Sequence, residues 1–283
     1  MSTASAVNLD GGVAVITGAA GGIGAALAHA LAVEGSDLAL VDVDQAALTA
    51  IVATLRDRFP NVSITEHAMD LSQPTAAEEL VSQTLSGHGR ITLVINNAGV
   101  ALGGLYEQVS MADVDWLLSV NLRATMAVTS ASLPHLQTGA RIVNISSLFG
   151  IIAPVGNVAY SASKFGVRGF SLALREELRP RGISVTSVHP GGVRTGIARN
   201  ARRGQAVNEA DWALGQEIFD KLLVMKPADA ARIIVRGIKR RKARILIGPE
   251  AYVGDFLARI APVGATRLIG ALMERKSGLR PPR

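Results

Sequence analysis

The sequence predicts an α/β domain built on a doubly wound parallel sheet of about seven strands, followed by a helical C-terminal extension. Three observations carry that expectation. Short apolar or β-branched runs alternate with Ala- and Leu-rich amphipathic stretches along most of the 283 residues. The first run opens straight into a glycine-rich turn, and the second ends in an aspartate. No internal repeat, low-complexity tract or long linker divides the pattern.

Each element follows from its residues. Val13 to Thr17 is a short apolar strand, and Gly18-Ala19-Ala20-Gly21-Gly22-Ile23-Gly24 follows at once, ahead of a helix from Ala25 to Glu34. Glycines let the backbone approach a pyrophosphate, and the helix start offers unpaired N–H groups at the positive end of its dipole. A glycine triplet alone is weak evidence, since an ordinary tight turn would look the same. Asp37 to Val41 is the second strand, and it ends in Asp42, 18 residues after Gly24, about the distance from such a turn to a ribose-binding carboxylate. Asp42 could instead cap the next helix, Asp44 to Arg58, but Asp44 suits that cap better. Val62 to His67 reads as a strand with Asp70-Leu71 beyond it, Pro74 to Leu85 as a helix, and Ile91 to Ile95 as a strand ending in Asn96-Asn97-Ala98-Gly99. A long helix is expected from about Met111 to Leu136, holding Asn121. Arg141 to Ile145 is a β-branched strand, Tyr160-Ser161-Ala162-Ser163-Lys164 opens a helix (about 157–178) that reaches about Leu178, and Ile183 to Val188 is a strand leading to Pro190-Gly191-Gly192. Ala228 to Arg240 is a helix and Arg244 to Ile247 the last strand.

Composition narrows the function. Hydrophobic residues make up 48% and charged residues 18%, enough apolar material for a sizeable core. There is no cysteine, which excludes disulfides, iron–sulfur clusters and thiolate metal sites. The five histidines show no ligand spacing, so no metal is expected and each reads as structural or solvated. No signal peptide or spanning run is visible, and a soluble cytoplasmic protein is expected. Charge is uneven. Residues 1–220 hold 14 Lys and Arg against 19 Asp and Glu, a net −5, whereas residues 221–283 hold 15 against 4, a net +11. Such a split raises the question of an anionic partner. Aromatics are only 4% and no nucleic-acid motif occurs, so nucleic acid is not expected.

The chemistry gathers between Arg141 and Lys164. Tyr160 and Lys164 lie four apart, so a helix puts them on one face. A phenol, with a pKa near ~10, is a poor base at neutral pH. A fixed positive charge nearby is expected to favour the phenolate. Ser147, at the strand end, can donate a hydrogen bond to an oxygen that Tyr160 protonates. This equips the chain to move a proton on or off an alcohol or carbonyl oxygen, and it calls for a redox cofactor to take the hydride.

Taken together, Thr17-Gly18-x-x-x-Gly22-Ile23-Gly24, Asp70-Leu71, Asn96-Asn97-Ala98-Gly99, Asn121, Ser147, Tyr160-x-x-x-Lys164 and Pro190-Gly191 with Thr195 resemble the short-chain dehydrogenase/reductase family, over roughly residues 10–248. The resemblance implies a Rossmann-like fold and a role for each residue. Tyr160 would be the general acid/base, and Lys164 would hold the nicotinamide ribose and depress the tyrosine. Ser147 would polarise the substrate carbonyl, and Asn121 would hold a water in a proton relay. Gly18, Gly22, Ile23 and Gly24 would cradle the pyrophosphate. Asp70 and Leu71 would face the adenine, Asn97, Ala98 and Gly99 would line the cofactor, and Pro190, Gly191, Val193 and Thr195 would meet its nicotinamide end. Ser146 competes with Ser147 and reads as a structural hydrogen bond, and Asn121 could equally bond nearby backbone. Asp42, with Val43 after it rather than a cation, favours NAD over NADP.

On the substrate side, the 12 residues between Ser147 and Tyr160 carry no charge, so a neutral or hydrophobic alcohol or ketone is expected. Trp212, Leu214, Ile218, Phe219, Leu222 and Leu223 suggest an amphipathic helix in a lid segment, about 195–225, or one packed on the core. The leading expectation is an oxidoreductase interconverting a secondary alcohol and a ketone. Alternatives are an NADPH-dependent 3-oxoacyl-thioester reductase, whose acidic carrier protein the basic tail could attract, and a non-catalytic nucleotide sensor. Residues 1–248 would form one domain and 249–283 a basic amphipathic extension. There Tyr252, Val253, Phe256, Leu257 and Ile260 make one stripe and Leu268, Ile269, Leu272 and Met273 another. The tail is expected to enclose substrate or pack on a neighbouring subunit, with peripheral membrane contact the next reading. By the same resemblance the protein would be a homodimer or homotetramer. Val167, Phe170, Leu174 and Leu178 would lie between subunits or against the chain's own sheet.

Overall fold

A computed structural model describes residues 8–268, 270 and 271. The elements run β1 (Val13–Thr17), α1 (Gly22–Val33), β2 (Asp37–Asp42), α2 (Gln45–Arg58), β3 (Ile64–Ala68), α3 (Ala76–His88), β4 (Leu93–Asn96), a two-residue strand β5 (Leu102–Gly103) and α4 (Met111–Leu118). A π-helical segment (Ser119–Arg123) then leads into α5 (Ala124–Ser132), β6 (Arg141–Ile145), α6 (Val158–Leu178), β7 (Ser184–Pro190), β8 (Arg202–Arg203), α7 (Glu209–Leu222), α8 (Pro227–Lys239), β9 (Arg244–Ile247) and α9 (Pro249–Ile260). The main sheet has the order β3-β2-β1-β4-β6-β7-β9, all parallel. The strands β1, β2 and β4 are almost continuously apolar because helices cover both faces of the sheet, as a parallel sheet requires.

Two cores result. Leu27, Leu31, Ile16, Leu40, Ile234 and Ile238 fill one side, and Leu80, Val94, Val128, Ile142, Leu174 and Val185 the other. Asp44 caps α2 by accepting the Ala47 N–H at 3.0 Å, as expected of it. The expected helix 111–136 is present but interrupted. Its middle widens into the π segment around Asn121, and its end tightens into a 3₁₀ turn at Leu133–His135 that contains Pro134. On α6, Val167, Leu174 and Leu178 are buried in the chain's own core, not left for a neighbour, and the exposed apolar residues on that helix include Phe165 and Leu172.

The α9 stripe divides. Leu257 packs with Ala258 against Leu148, Ile151 and Ile152, whereas Tyr252, Val253, Phe256 and Ile260 are exposed. Of the second stripe, Leu268 is exposed, and Ile269, Leu272 and Met273 lie outside the described residues. Among the described residues, no helix is long and apolar enough to cross a membrane, and no group of three His, Asp or Glu is placed to hold a metal.

The strand order reverses between β1 and β4. In such a sheet, ligands sit beyond the carboxyl ends of the strands at that reversal. A surface recess that Asp10, Arg90 and Arg141 help to line lies at the opposite end of the strands.

Candidate active site

At the reversal, Thr17 ends β1 and its hydroxyl accepts the Asn97 and Ala98 N–H groups at 3.0 and 2.9 Å. The Asn97 side-chain amide answers by donating to the Thr17 and Gly18 carbonyls at 3.0 and 2.9 Å. These bonds tie the glycine turn to the end of β4. Gly18 and Gly22 have φ of 64° and 56°, where side chains are rarely tolerated. A Cβ on Gly24 would strike the Gly18 carbonyl. The start of α1 carries no side-chain cap, and beyond Gly21 there is open space. A backbone bent this tightly, with free N–H groups facing open space, fits a pyrophosphate. Asp42 closes the turn on one side. Its Oδ2 accepts the Ala20 N–H at 2.8 Å and its Oδ1 the Asp44 N–H at 3.1 Å, which leaves lone pairs for ribose hydroxyls. Ile23 follows in the first turn of α1 and packs against the core.

The residues for proton chemistry come from β6 and α6. Ser147 follows the strand end, where its hydroxyl accepts the Phe149 N–H at 3.1 Å and lies beside Tyr160, whose ring meets Phe149 edge-on at 6.1 Å. Lys164 lies one turn on, and its ammonium donates to the Ile145 carbonyl at 3.1 Å. A Cβ on Gly99 would lie 3.3 Å from both Lys164 Nζ and Asn121 Oδ1, so β4 and α6 converge here. Burial pushes the Tyr160 phenol up to about 12, against the smaller opposing pull of the nearby Ser147 hydroxyl. The side chain nonetheless keeps partial exposure, which leaves it a path to a substrate oxygen. Lys164 is almost fully buried, and burial pushes its ammonium down to about 8. The expected lowering of the phenol by Lys164 therefore does not dominate. The ammonium is 5.7 Å from the ring centroid and spends a hydrogen bond on backbone, so desolvation wins. Ser146 takes the structural part, donating to the Lys164 carbonyl at 2.8 Å.

The remaining expected residues surround this pair. Asn121 is buried. Its amide accepts the Val100 N–H at 2.7 Å and donates to the Val100 carbonyl at 2.9 Å and to Ser163 at 3.1 Å. It thus fixes the backbone after Gly99. Beneath it, Asn96 donates to Thr129 and Asn144, and Asn144 to Ser171, joining two strands to two helices. Asp70 binds Ser72 and Gln73, and the Ser72 hydrogen bond above all holds its carboxyl below the usual range, while Leu71 packs into the core. Pro190 ends β7, Gly191 donates to the Ile247 carbonyl, Val193 bridges Met225, and Thr195 lies against Gly22.

Two features of the site escape a reading of the sequence. His189 takes the structural one of the two roles expected of the histidines and is fully buried behind Ser147, in a position that sequence does not reveal. Its Nδ1 faces the Ser147 carbonyl at 3.0 Å, so that nitrogen must carry the hydrogen, and its Nε2 then accepts from Ser187 at 3.0 Å. Burial pushes this imidazole down to about 4. The second is a latch. β8 pairs with β5 in a small parallel ladder, and Arg202 stacks 3.7 Å from the Trp116 ring centroid while binding Asp113 at 2.8 Å. Behind it, α7 is capped by Asn208, and Trp212 packs on Gly103. The α7 residues Trp212, Leu214, Ile218 and Phe219 are only half-buried, which suits a cover over a cleft better than a core helix.

Known proteins share this architecture. The chain is 38% identical over 269 residues to SadH of Mycobacterium tuberculosis, described as an oxidoreductase, covering 93% of this chain and 96% of that one. A short chain dehydrogenase/reductase from Burkholderia phymatum, solved in complex with NAD, superposes with a TM-score of 0.79 at 27% identity, covering 98% of each chain. A short chain dehydrogenase from Burkholderia cenocepacia, solved in complex with NADP, gives 0.75 at 28% identity over 87% of this chain and all of the other. The short chain dehydrogenase family model matches residues 12–206, from the glycine turn to just beyond β8, and the chain belongs to that family of nicotinamide-dependent oxidoreductases.

Proposed function

We propose that this protein interconverts a secondary alcohol and a ketone, with NAD(H) preferred and a neutral or apolar group beside the reacting carbon. The observation that carries the proposal is the gathering of Ser147, Tyr160 and, one helical turn on, Lys164, at the carboxyl end of the sheet beside Gly99. A bound nicotinamide supplies or takes the hydride. The chain does the rest. In oxidation, the alcohol proton passes to the Tyr160 oxygen as the C–H bond gives up its hydride; in reduction, Tyr160 returns a proton to the carbonyl oxygen. Ser147 orients that oxygen, and Lys164 supplies donors for ribose hydroxyls. Asn121 braces Val100 and keeps acceptor capacity for a relay water. Asp42, unaccompanied by a cation at Val43, favours free ribose hydroxyls over a 2′-phosphate.

The substrate wall supports the rest of the reading. Leu102, Val114, Leu117 and Ala159 cluster with Tyr160, and the segment between Ser147 and Tyr160 offers no cation to an acidic substrate. The test is a panel of hydrophobic secondary alcohols and ketones with NAD(H) and NADP(H), followed at the nicotinamide absorbance. NADH formation dependent on an apolar alcohol is expected. A higher kcat/KM with NADP would overturn the cofactor preference, and turnover confined to charged substrates would overturn the substrate class.

A further inference from the structure

Glu250, in the first turn of α9, has no part in the chemistry above, yet it is built into the edge of the site. Its Oε1 accepts the Gly192 N–H at 2.5 Å. Glycines wall the carboxylate. A Cβ on Gly191 would run into it, one on Gly248 would lie 2.6 Å from Oε1, and one on Gly192 would lie 3.2 Å away. Gly248 also has φ of 87°, the bend that brings α9 back toward β7. The Gly192 carbonyl, on the other side of the same residue, accepts the Val224 and Met225 N–H groups at 3.0 and 2.9 Å. Arg194 donates to the Met225 carbonyl at 2.8 Å. Gly192 is therefore held at its amide by α9 and at its carbonyl by the chain just after α7, while Gly191 is tied to β9 through Ile247. A bond to an ionised acceptor is about twice as strong as a neutral one, and the helix start favours a carboxylate.

We propose that Glu250 is a positioning residue: through Gly192 it fixes the Pro190–Thr195 segment and the foot of the lid, and so sets how tightly the chain holds a nicotinamide cofactor. This rests on the reading of that segment as the wall of the cofactor site. Glu250 itself touches Gly192 and the glycines around it, not the reacting atoms.

The test pairs two readouts in the full-length protein. One is the rate of trypsin cleavage at Arg199, Arg202, Arg203 and Lys221 without nucleotide; the other is the Kd for NADH by fluorescence titration. Glu250→Ala should cleave about tenfold faster and bind NADH about tenfold more weakly, with KM for the cofactor rising more than kcat falls. Glu250→Gln, which keeps an acceptor oxygen in place, should recover most of both. Glu250→Asp, one methylene short, should resemble the alanine variant, and it serves where that variant does not fold. Wild-type cleavage and Kd in the Ala or Asp variants would overturn the proposal. So would equal losses in Gln and Ala that simply follow a lowered Tm. A wild-type protein that binds no NADH would sink the reading of the site, while the cleavage rates would still judge the contact.

Discussion

As the proposed acid/base, Tyr160 should set the direction in which pH acts on the reaction. Its phenol is pushed up to about 12, and alcohol oxidation uses the phenolate, so the oxidation rate of the wild type should climb through the alkaline range while ketone reduction should not. Tyr160→Phe should cut turnover about 10²–10⁴-fold and leave NADH binding largely intact, which stopped-flow turnover and fluorescence titration would show. Asp42→Ala combined with Val43→Arg should move preference toward NADP(H), since a hydrogen bond to a charged acceptor is worth about 1.5–3 kcal/mol; an unchanged ratio of kcat/KM values would contradict the role given to Asp42. His189 yields a stability prediction of opposite character. Its folded value, about 4, lies below the free value of 6.5, so the fold holds the neutral ring. The stability it contributes is complete above 6.5 and is lost as pH falls toward 4, by about 3 kcal/mol in all. Denaturant melts at pH 7.5 and 4.5 should show that loss in the wild type and a smaller one in His189→Asn, which can still donate to the Ser147 carbonyl. Tyr160, Lys164, Ser147 and Asp42 are legible in the sequence because side-chain type and spacing carry their chemistry. His189 and Glu250 are not, because both act on backbone groups, Ser147 O and Gly192 N, and a sequence does not say which carbonyl or amide a side chain will meet.

Among the elements, the helices and strands were foreseeable to within a few residues because burial on both faces writes long apolar runs into a parallel sheet. The β5–β8 ladder was not. Two residues a side give no periodicity, and Arg202-Arg203 looks like solvated charge until Trp116 and Asp113 are seen beneath it. Nor does the apolar pattern of α4 and α5 betray the π turn at Asn121. The latch should matter to function. The guanidinium keeps part of its surface in solvent, so the stacked pair should be worth only about 0.5–1 kcal/mol. Arg202→Ala should therefore raise the KM for substrate several-fold with a smaller change in kcat, and high salt should mimic part of the effect in the wild type. An unaltered KM would mean that the strap is held by its backbone ladder alone. On α6, Phe165 and Leu172 are 39% and 49% exposed and lie seven residues apart, with the open side of Gly169 between them. If subunits pair there, replacing both with Glu should reduce the sedimentation coefficient to that of a single chain without lowering Tm.

For the molecule as a whole, the order β3-β2-β1-β4-β6-β7-β9 brings together partners far apart in the chain. Thr17 meets Asn97, Ser147 meets His189, and Gly192 meets Glu250. A doubly wound parallel sheet was expected from the sequence, though not its strand order, and the seat of α9 beside the Leu148–Ile152 turn follows from packing by Leu257 and Ala258, contacts that no spacing in the tail announces. The same order sorts charge. Residues 37–90, which build the β2–β3 edge, hold 3 Arg against 8 Asp and Glu. Residues 221–268, which carry β9 and the helices before and after it, hold 11 Lys and Arg against 3 Asp and Glu. At the spacing of adjacent strands the two edges stand roughly 30 Å apart. Charge is thus segregated along the sheet, acidic toward β3 and basic toward β9, although α8 lies over α1, where Lys239 pairs with Glu34. At an ionic strength of about 10 mM, where the screening length is about 30 Å, the basic edge of one molecule should attract the acidic edge of the next. Light scattering should then give a second virial coefficient that is negative in dilute buffer and rises toward positive values by about 150 mM salt.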